Sequence, residues 1–568
     1  MKILTLHCDY IHFKPLKKAL KGIDELSEKE KKEKKITEPL VVLTAVEKGD
    51  TLDSVNELVK NIIDIAKQVN VKNIVLYPYA HLSNNLASPE LAVRVLENAE
   101  KELKKSFRVD RAPFGYYKEF ELKVKGHPLS ELSREIKGDG KEEKGKEKNE
   151  GEEVYDYKQL LREISKSKLD REKLKDNDHR ILGQQMDLFS FNETASGMVF
   201  WHNNGLVIYN ELIEFWREEH KKAGYQEVKT PEILDEKLWK ISGHWQKYKD
   251  NIFLTEYEKR NFAVKPMNCP GVMLIYKNKP KSYRDLPLRI GELGIVHRQE
   301  LSGVLGGLFR VIQFTQDDAH IFCDEKQLES EIIGVINLIN YFYKKFDFSY
   351  HVELSTRPKL RIGDERVWDK AEKVLEDVLK KNKMKFKINK GDGAFYGPKI
   401  DFHIKDSLGR TWQCGTIQLD FSMPERFDLE YIDKDNSRKR PILLHRVIYG
   451  SLERFIGILL EHLNGRLPTW LAPVQVRVIN FTDRNTESCE KFIEKLKQNG
   501  IRVDDDLRSI PINGKIKEAE LMKIPYIIVI GDKEEKAKSV NVRKNGKTNV
   551  IKEDDFVKDL KKEIEERK

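Results

Sequence analysis

Residues 137–153 read KGDGKEEKGKEKNEGEE, a run without one apolar side chain. Such a tract cannot bury enough surface to offset the entropy of ordering it, so it is expected to be a solvated linker between separately folded bodies. The chain has 568 residues, of which 39% are hydrophobic. At about 150 residues per domain that suggests three or four domains, each with apolar material for a core. A second polar run, residues 27–35, is expected to be a surface insertion in the first domain, and no internal repeat of fixed period is present.

The pattern of apolar residues divides the chain further. Before the tract, strands are expected over 3–6, 40–46 and 73–77 and helices over 55–69 and 88–103, a small α/β domain closing at residue 136 and followed by a linker over 137–175. From 471 to 568 the order is strand 474–480, helix 487–498, strand 501–505, helix 514–523 and strand 526–530, with a further strand at 540–542 and a helix over 554–566. Alternation of this kind is a βαβαβ domain. The middle, 176–470, is different. An amphipathic helix over 206–222 places Leu206, Tyr209, Leu212, Ile213 and Trp216 on one face and stops at Gly224. Strands at 262–264, 288–290, 295–298 and 310–314 follow, then a hairpin of 399–404 and 411–421 turning at 407–409. They succeed one another without regular helical crossovers, so the sheet is expected to be largely antiparallel. The fold class is multidomain, α/β at both ends around an α+β middle.

Several functions are excluded early. No stretch approaches the roughly 18 uninterrupted apolar residues of a membrane span. The amino terminus runs at once into Asp9 and Lys14, unlike a signal peptide. Five widely spaced cysteines, an odd number, make no disulfide framework, so a reduced, cytoplasmic protein is expected. Lysine and arginine total 103 against 94 acidic residues, a net +9 that fits a polyanionic partner without requiring one. There is no GxxxxGK[ST] loop and no GxGxxG after a strand, so neither a P-loop nor a dinucleotide fold is expected.

The middle domain nonetheless has the parts to hold a nucleotide. His297-Arg298-Gln299-Glu300 leads into a loop with glycines at 303, 306 and 307, then Arg310 and Phe314. Two arginines can grip phosphates bidentately, glycines allow close approach of backbone, and Phe314 offers a stacking face. Farther on, Gly450-Ser451-Leu452-Glu453-Arg454 opens a helix whose amino terminus, with Arg454 in its first turn, suits an anion. Any one of these arginines alone would more simply be a surface ion pair.

Together these segments resemble motifs 2 and 3 of the class II aminoacyl-tRNA synthetases, and Thr230-Pro231 resembles motif 1, which in that class forms a homodimer interface. Residues 265–270 (KPMNCP), 314–320 (FTQDDAH), 394–399 (AFYGPK) and 412–421 (WQCGTIQLDF) narrow the resemblance to the threonyl-tRNA synthetase family. The resemblance implies one Zn²⁺ per subunit in the amino-acid pocket, held by Cys269, His320 and His445. Taken singly, these three would read as core residues, and Cys323 and Cys414 are read as packing residues. It further implies threonine contacts from Met267, Gln316, Asp318, Tyr396 and Gln418. Arg298 is expected at the α-phosphate, Arg454 at the γ-phosphate, Glu300 and Phe314 on adenine, and Arg310, Gln413, Thr416 and Ser451 around the nucleotide, with Mg²⁺ on ATP. Lys399 joins Arg298 and Arg454 as a catalytic candidate, and His244 is the candidate for assisting proton transfer from the tRNA 3′-hydroxyl.

A metal pocket that coordinates a hydroxyl rejects valine but not serine, which lacks only a methyl worth about 1–3 kcal/mol, so a second, hydrolytic site is expected. Residues 77–83 (YPYAHLS), 113–118 (PFGYYK) and 125–132 (KGHPLSEL) resemble the archaeal editing domain of the family, related to D-aminoacyl-tRNA deacylase. That resemblance implies His81, Tyr117, Lys118 and Glu131 as editing residues, with His127 a turn residue. Residues 468–475 read closer to the bacterial pattern. The last domain resembles the anticodon-binding domain of several class II synthetases, with Glu534 and Arg543 expected to read bases of tRNA(Thr) and Lys515, Lys517 and Lys544 on a solvated or backbone-binding face. A prolyl or histidyl enzyme is disfavoured by the zinc trio with Asp318. A catalytically dead RNA-binding paralogue is disfavoured by the presence of Arg298, Glu300 and Arg454, and a freestanding editing protein by the intact zinc ligands.

Overall fold

The first strand of the chain, Lys2–Lys18, runs far beyond the expected 3–6. Past Asp9, Ile11 and Phe13 point inward while Lys14 points to solvent, the period-2 pattern of a strand buried on one face. The structure is a computed structural model that describes residues 1–20, 23, 25–28, 30–83, 85–136, 157–164 and 174–568, so the charged tract lies outside the described residues. It divides into two compact units, Met1–Glu153 and Val154–Lys568.

In the first unit, Lys2–Lys18 pairs with Lys34–Thr37, Pro39–Ala45, Tyr116–Val124 and Glu131–Glu135 in a seven-stranded mixed sheet. Residues 34 and 35, expected within an insertion, are thus sheet. Helices Ser54–Gln68 and Pro89–Leu103 cover one face, burying Leu58, Ile62, Val95 and Leu96 against Val42, Ile74 and Leu76. The second helix starts where expected because Pro89 takes the first turn and the Ser88 hydroxyl accepts from Leu91 N (3.4 Å).

The second unit is built on an eight-stranded sheet in the order Gln226–Glu227, Leu288–His297, Gln313–Cys323, Ile442–Val447, Thr411–Asp420, Lys399–Lys405, Ser349–Ser355, Phe386–Asn389. Only the two outermost pairs are parallel, as the largely antiparallel expectation requires. The segments expected as two strands, 288–290 and 295–298, are one, because Gly294 allows close approach: a Cβ there would lie 2.1 Å from Asn268 Oδ1. Arg310 falls in a loop, since the next strand starts only at Gln313. The long helix Asn203–Lys222 turns its buried stripe slightly from the expected one. Ile208, Leu212, Phe215 and Trp216 are buried, whereas Leu206 is exposed.

The carboxy-terminal sheet runs Val503–Asp506, Val476–Asn480, Tyr526–Ile530, Ser539–Lys544, Lys547–Lys552, three parallel strands extended by an antiparallel hairpin whose second strand had not been expected. It is tied to the sheet domain. Arg502 bonds Glu211 (2.5 Å) and the carbonyls of Trp470 and Ala472, and Arg567 lies over the Phe215 and Trp470 rings.

Thr230 is anchored by a buried ion pair. Glu292 Oε1 accepts from Thr230 N (2.9 Å) and Oγ1 (2.8 Å) and from Lys265 Nζ (2.8 Å), and both charged side chains are 1% exposed. Removing one partner strands the other charge without water, a cost of about 3–5 kcal/mol. Glu292→Ala is therefore expected to lower the midpoint of denaturant unfolding by several kcal/mol equivalents while Glu211→Ala, on the exposed side, stays within about 1 kcal/mol. Equal effects would refute the anchor.

Candidate active sites

Register assembles the larger site. Gln316, Asp318 and His320 share one face of their strand at period 2, and His320 sits directly opposite His445, His445 opposite Gln418, and Gln418 opposite Lys399. These four form a row across the sheet, and Cys269, at the start of helix Cys269–Lys277, comes down beside it. Over the row lies a cavity of about 480 Å³. All the expected zinc, threonine and nucleotide residues line it except His320, which is fully buried beneath. Tyr248 and Arg446 also line it and had not been singled out.

At the inner end, one ligand atom from each of Cys269, His320 and His445 lies within 4.8 Å of the others. Both ring nitrogens of His320 are buried without a hydrogen-bond partner, an expensive state that a metal bond to one of them would relieve. His445 Nε2 donates to Asp420 Oδ2 (2.9 Å), which leaves its Nδ1 lone pair free. Burial, with Asp318 and Asp420 nearby, pushes the Cys269 thiol well up, so without a cation it stays protonated. One thiol and two imidazoles suit Zn²⁺ and leave it an open position. Beside them, Tyr396 donates to Gln418 Oε1 (2.6 Å) and Asn268 Nδ2 to Asp318 Oδ2 (3.4 Å). Burial raises the Asp318 carboxyl to about 7.

The outer end is cationic. Arg298 lies over Phe314 (5.1 Å) and Tyr248 (5.9 Å), its Nε donating to Pro266 O (3.2 Å). Arg454 donates through Nε to Phe309 O (2.8 Å), and burial, together with Arg310 and Arg298, holds its pKa below the usual value, the mark of a site short of an anion. Ser451 caps helix Leu452–His462 by accepting from Arg454 N (3.2 Å). Arg310 pairs with Glu300 (2.8 Å).

Three carboxylates that sequence reasoning missed set this geometry. Asp317, on the opposite face from Asp318, accepts from the N–H groups of Ile448 (2.9 Å), Tyr449 (3.1 Å) and Gly450 (2.9 Å), fixing the turn before Ser451. Glu453 accepts from Thr315 N (3.0 Å), and burial raises its carboxyl to about 7. Asp401, fully buried, accepts from Lys399 (2.5 Å), Ser355 (2.7 Å), Gln413 (2.6 Å) and Thr416 (3.0 Å). Their only signal in the sequence was position one or two residues from a candidate. His244 does not line the cavity. It stands behind Phe395 (ring centroids 5.5 Å), bonded to Ser242 Oγ (2.8 Å), with Nε2 buried and unpaired, and burial lowers its pKa to about 3.

The first unit holds a cavity of about 430 Å³ lined by His81, Tyr117 and Lys118, with Tyr77, Tyr79 and Phe120. Lys118 Nζ donates to Pro113 O (2.8 Å) and Tyr116 O (3.0 Å) and lies over the Tyr77 ring (5.2 Å), and burial lowers its pKa to about 8. Glu131 is not in this cavity. Its strand pairs with residues 2–6 of the first strand, whereas the strand of Tyr117 and Lys118 pairs with residues 8–18, and Glu131 is exposed. His127, read as a turn residue, accepts or donates at Nε2 with His7 Nδ1 (2.8 Å).

In the last domain, Glu534 accepts from Gly531 N (3.2 Å) at the start of helix Asp532–Ala537, and Arg543 pairs with Glu520 (3.2 Å). Both are already engaged within the domain, on separate elements. Lys515 is buried, donating to Asn480 Oδ1 (2.5 Å), and so does not lie on the solvated face expected for it, whereas Lys544 is partly exposed and binds Glu563 (3.0 Å).

An antiparallel sheet with a capped helix and arginines over one face defines a class II aminoacyl-tRNA synthetase core, and residues 253–463 match the tRNA synthetase class II core domain (G, H, P, S and T). Residues 1–136 match the Archaea-specific editing domain of threonyl-tRNA synthetase, and 475–563 an anticodon binding domain. The chain is 56% identical over 395 residues to the threonine–tRNA ligase of Caldanaerobacter subterraneus subsp. tengcongensis, covering 69% of this chain and 61% of that protein. It is 56% identical over 396 residues to that of Desulforamulus reducens, covering 69% and 62%. The chain thus spans about three fifths of the length of these curated relatives. Among solved structures, it resembles the RNA binding domain of threonyl-tRNA synthetase from Cryptosporidium parvum Iowa II at 40% identity and TM-score 0.66, covering 68% of this chain and 98% of that one. A structure assigned to threonyl-tRNA synthetase ThrRS-1 of Aeropyrum pernix aligns at 30% identity and TM-score 0.61, covering 68% and 96%. The chain belongs to the threonyl-tRNA synthetase family.

Cys269→Ala is expected to lower by one equivalent the Zn²⁺ retained by the purified protein after equilibration with Zn²⁺, read by metal analysis. Unchanged metal content would overturn the pocket.

Proposed function

We propose that the chain activates L-threonine with ATP, transfers it to tRNA(Thr), and hydrolyses mischarged seryl-tRNA(Thr) in its first unit. The observation that carries this reading is the single cavity in which a thiol, the His445 imidazole and, beneath them, the unsatisfied imidazole of His320 lie at the end opposite an arginine-lined nucleotide end. Zn²⁺ held by Cys269, His320 and His445 would supply direct coordination of the threonine amine and hydroxyl, which valine cannot complete. Asp318 orients the hydroxyl, while Met267, Gln316, Tyr396 and Gln418 close the pocket around the methyl and carboxylate.

Adenylate formation is an in-line attack of the threonine carboxylate on the α-phosphate that breaks its bond to the bridging oxygen and releases pyrophosphate, and the residues act by positioning and charge. Arg298 holds the α-phosphate and the incoming carboxylate, and Arg454 and the helix amino terminus at Ser451 hold the γ-phosphate. Arg310 and Glu300 exchange their mutual ion pair for contacts to the nucleotide, Phe314 stacks on adenine, and Gln413, Thr416 and Lys399 form the wall that Asp401 organises. Mg²⁺ accompanies ATP. For transfer, the tRNA 3′-hydroxyl needs a proton acceptor, and neutral His244, with its Nε2 unpaired behind Phe395, is the candidate imidazole outside the Cys269–His320–His445 set. Glu534 and Arg543 would have to release their present partners to meet anticodon bases. Exposed Ile233, Leu254 and Tyr257, on the small sheet following Thr230-Pro231, support a homodimer through that region. No helix among the described residues is long and apolar enough to cross a membrane, and a cytoplasmic location fits the five free, buried cysteines.

In the first unit, cationic Lys118 binds the tRNA terminus while His81 and Tyr117 position water against the ester. Amino-acid-dependent pyrophosphate exchange should respond to threonine and, weakly, serine; dependence on proline or histidine would sink the assignment. Lys118→Ala should leave threonine charging intact while seryl-tRNA accumulates, and unchanged deacylation would remove Lys118 from the mechanism. Because the ammonium predominates below its pKa of about 8, enzyme-catalysed deacylation should fall as pH rises through that value. Lys118→Arg, which keeps its charge, should carry whatever activity it retains to higher pH.

A further inference from the structure

Two rows along the sheet from the zinc row, on the same face, a second set of ligand groups converges. His351 and Glu353 are two residues apart on Ser349–Ser355 and so share a face, and His403 of the next strand lies directly opposite His351. The two imidazoles stack with centroids 4.9 Å apart and planes only 11° from parallel. Each presents its Nε2 to a different oxygen of the same carboxylate. His351 Nε2 lies 3.4 Å from Glu353 Oε1 and His403 Nε2 3.6 Å from Oε2.

These separations decide between two readings. An N–H···O bond spans about 2.7–3.2 Å, so neither contact is a good hydrogen bond. Ligands each about 2.0–2.2 Å from one tetrahedral ion stand roughly 3.3–3.5 Å apart, and the two nitrogen–carboxylate separations of 3.4 and 3.6 Å lie close to that spacing. One ligand atom from each of the three residues falls within 4.8 Å of the others. The carboxylate is held from behind, where Asn389 Nδ2 donates to Glu353 Oε2 (3.1 Å), an outer partner of the kind that orients metal ligands. A third cluster, Asp178–His179–Glu461, shows the contrast. There His179 Nδ1 is bonded to Glu461 (2.7 Å) and Nε2 accepts from Leu308 N (3.0 Å), so no lone pair remains.

We propose that His351, Glu353 and His403 form a second divalent-metal site, of the nitrogen–oxygen class that takes Zn²⁺, Co²⁺ or Ni²⁺, with its remaining position open to water. The ligands stand on two paired strands, so a bound ion staples Ser349–Ser355 to Lys399–Lys405. The latter strand carries Asp401, directly opposite Glu353, and Asp401 holds Lys399, Gln413 and Thr416. The site is therefore a brace for the nucleotide wall, distinct from the Cys269 pocket and independent of it.

The test is metal counting on the full chain, equilibrated with Zn²⁺ and then dialysed against a weak competing chelator. Two equivalents are expected for the unaltered protein and one each for Cys269→Ala and His403→Ala. In the Cys269→Ala background, Zn²⁺ should raise the thermal midpoint in a concentration-dependent way, and Cys269→Ala/His403→Ala should show no rise. With Co²⁺, Cys269→Ala should keep d–d absorption but lose the thiolate charge-transfer band. Should His403→Ala not fold, the isosteric Glu353→Gln serves, with the same loss of one equivalent expected. One equivalent in the unaltered protein, lost only in Cys269→Ala, would overturn the second site and leave the amino-acid pocket standing. One equivalent lost only in His403→Ala would do the reverse. Unchanged stoichiometry in both His403→Ala and Glu353→Gln also overturns the proposal.

Discussion

Side chains alternate along a strand, and in the eight-stranded sheet that alternation separates packing from chemistry. On one side Ile321, Leu444, Ile417, Ile400 and Leu354 pack into the main core. On the other, His320, His445, Gln418 and Lys399 align through direct pairing. A slip of one residue in any pairing would send a ligand into the core and a leucine or isoleucine into the cavity. The apolar face thereby enforces the register that the polar face uses. Four residues far apart in the chain become neighbours without any local motif.

The cavity is also an electrostatic arrangement left incomplete by the protein alone. Asp318 is buried at the inner end with its carboxyl raised by desolvation, while Arg298, Arg310 and Arg454 crowd the outer end. A carboxyl at one end of a cavity and cations at the other leave room for a ligand that carries both signs of charge. Asp317 and Glu453 do their part through backbone N–H groups, so they shape the anion site without touching what binds there.

Much of this was legible in the sequence. The three-part division, the α/β ends and the antiparallel middle follow from periodicity and from the apolar-free tract. What periodicity misjudged has identifiable causes. Glycines 291 and 294 looked like strand ends because composition cannot distinguish a turn from a close approach to Asn268 and Trp216. The helix stripe was placed too early because Leu206 is apolar yet exposed. The residues of the main cavity were recoverable only through family motifs, since Cys269, His320 and His445 have no ligand-like spacing. Glu131 was named by the same route, and its strand pairs with residues 2–6 of Lys2–Lys18, so it does not join His81, Tyr117 and Lys118 in the lining of the first unit's cavity.

Asp420 spends one oxygen on the amides of Ser422 (2.7 Å) and Met423 (3.0 Å) and the other on His445 Nε2. The helix start thereby dictates which tautomer of His445 the pocket receives. Asp420 does not line the cavity, yet through this one bond it sets which nitrogen of His445 faces Cys269 and His320. An asparagine there, of nearly the same shape, could present its amide to that nitrogen and reverse the choice.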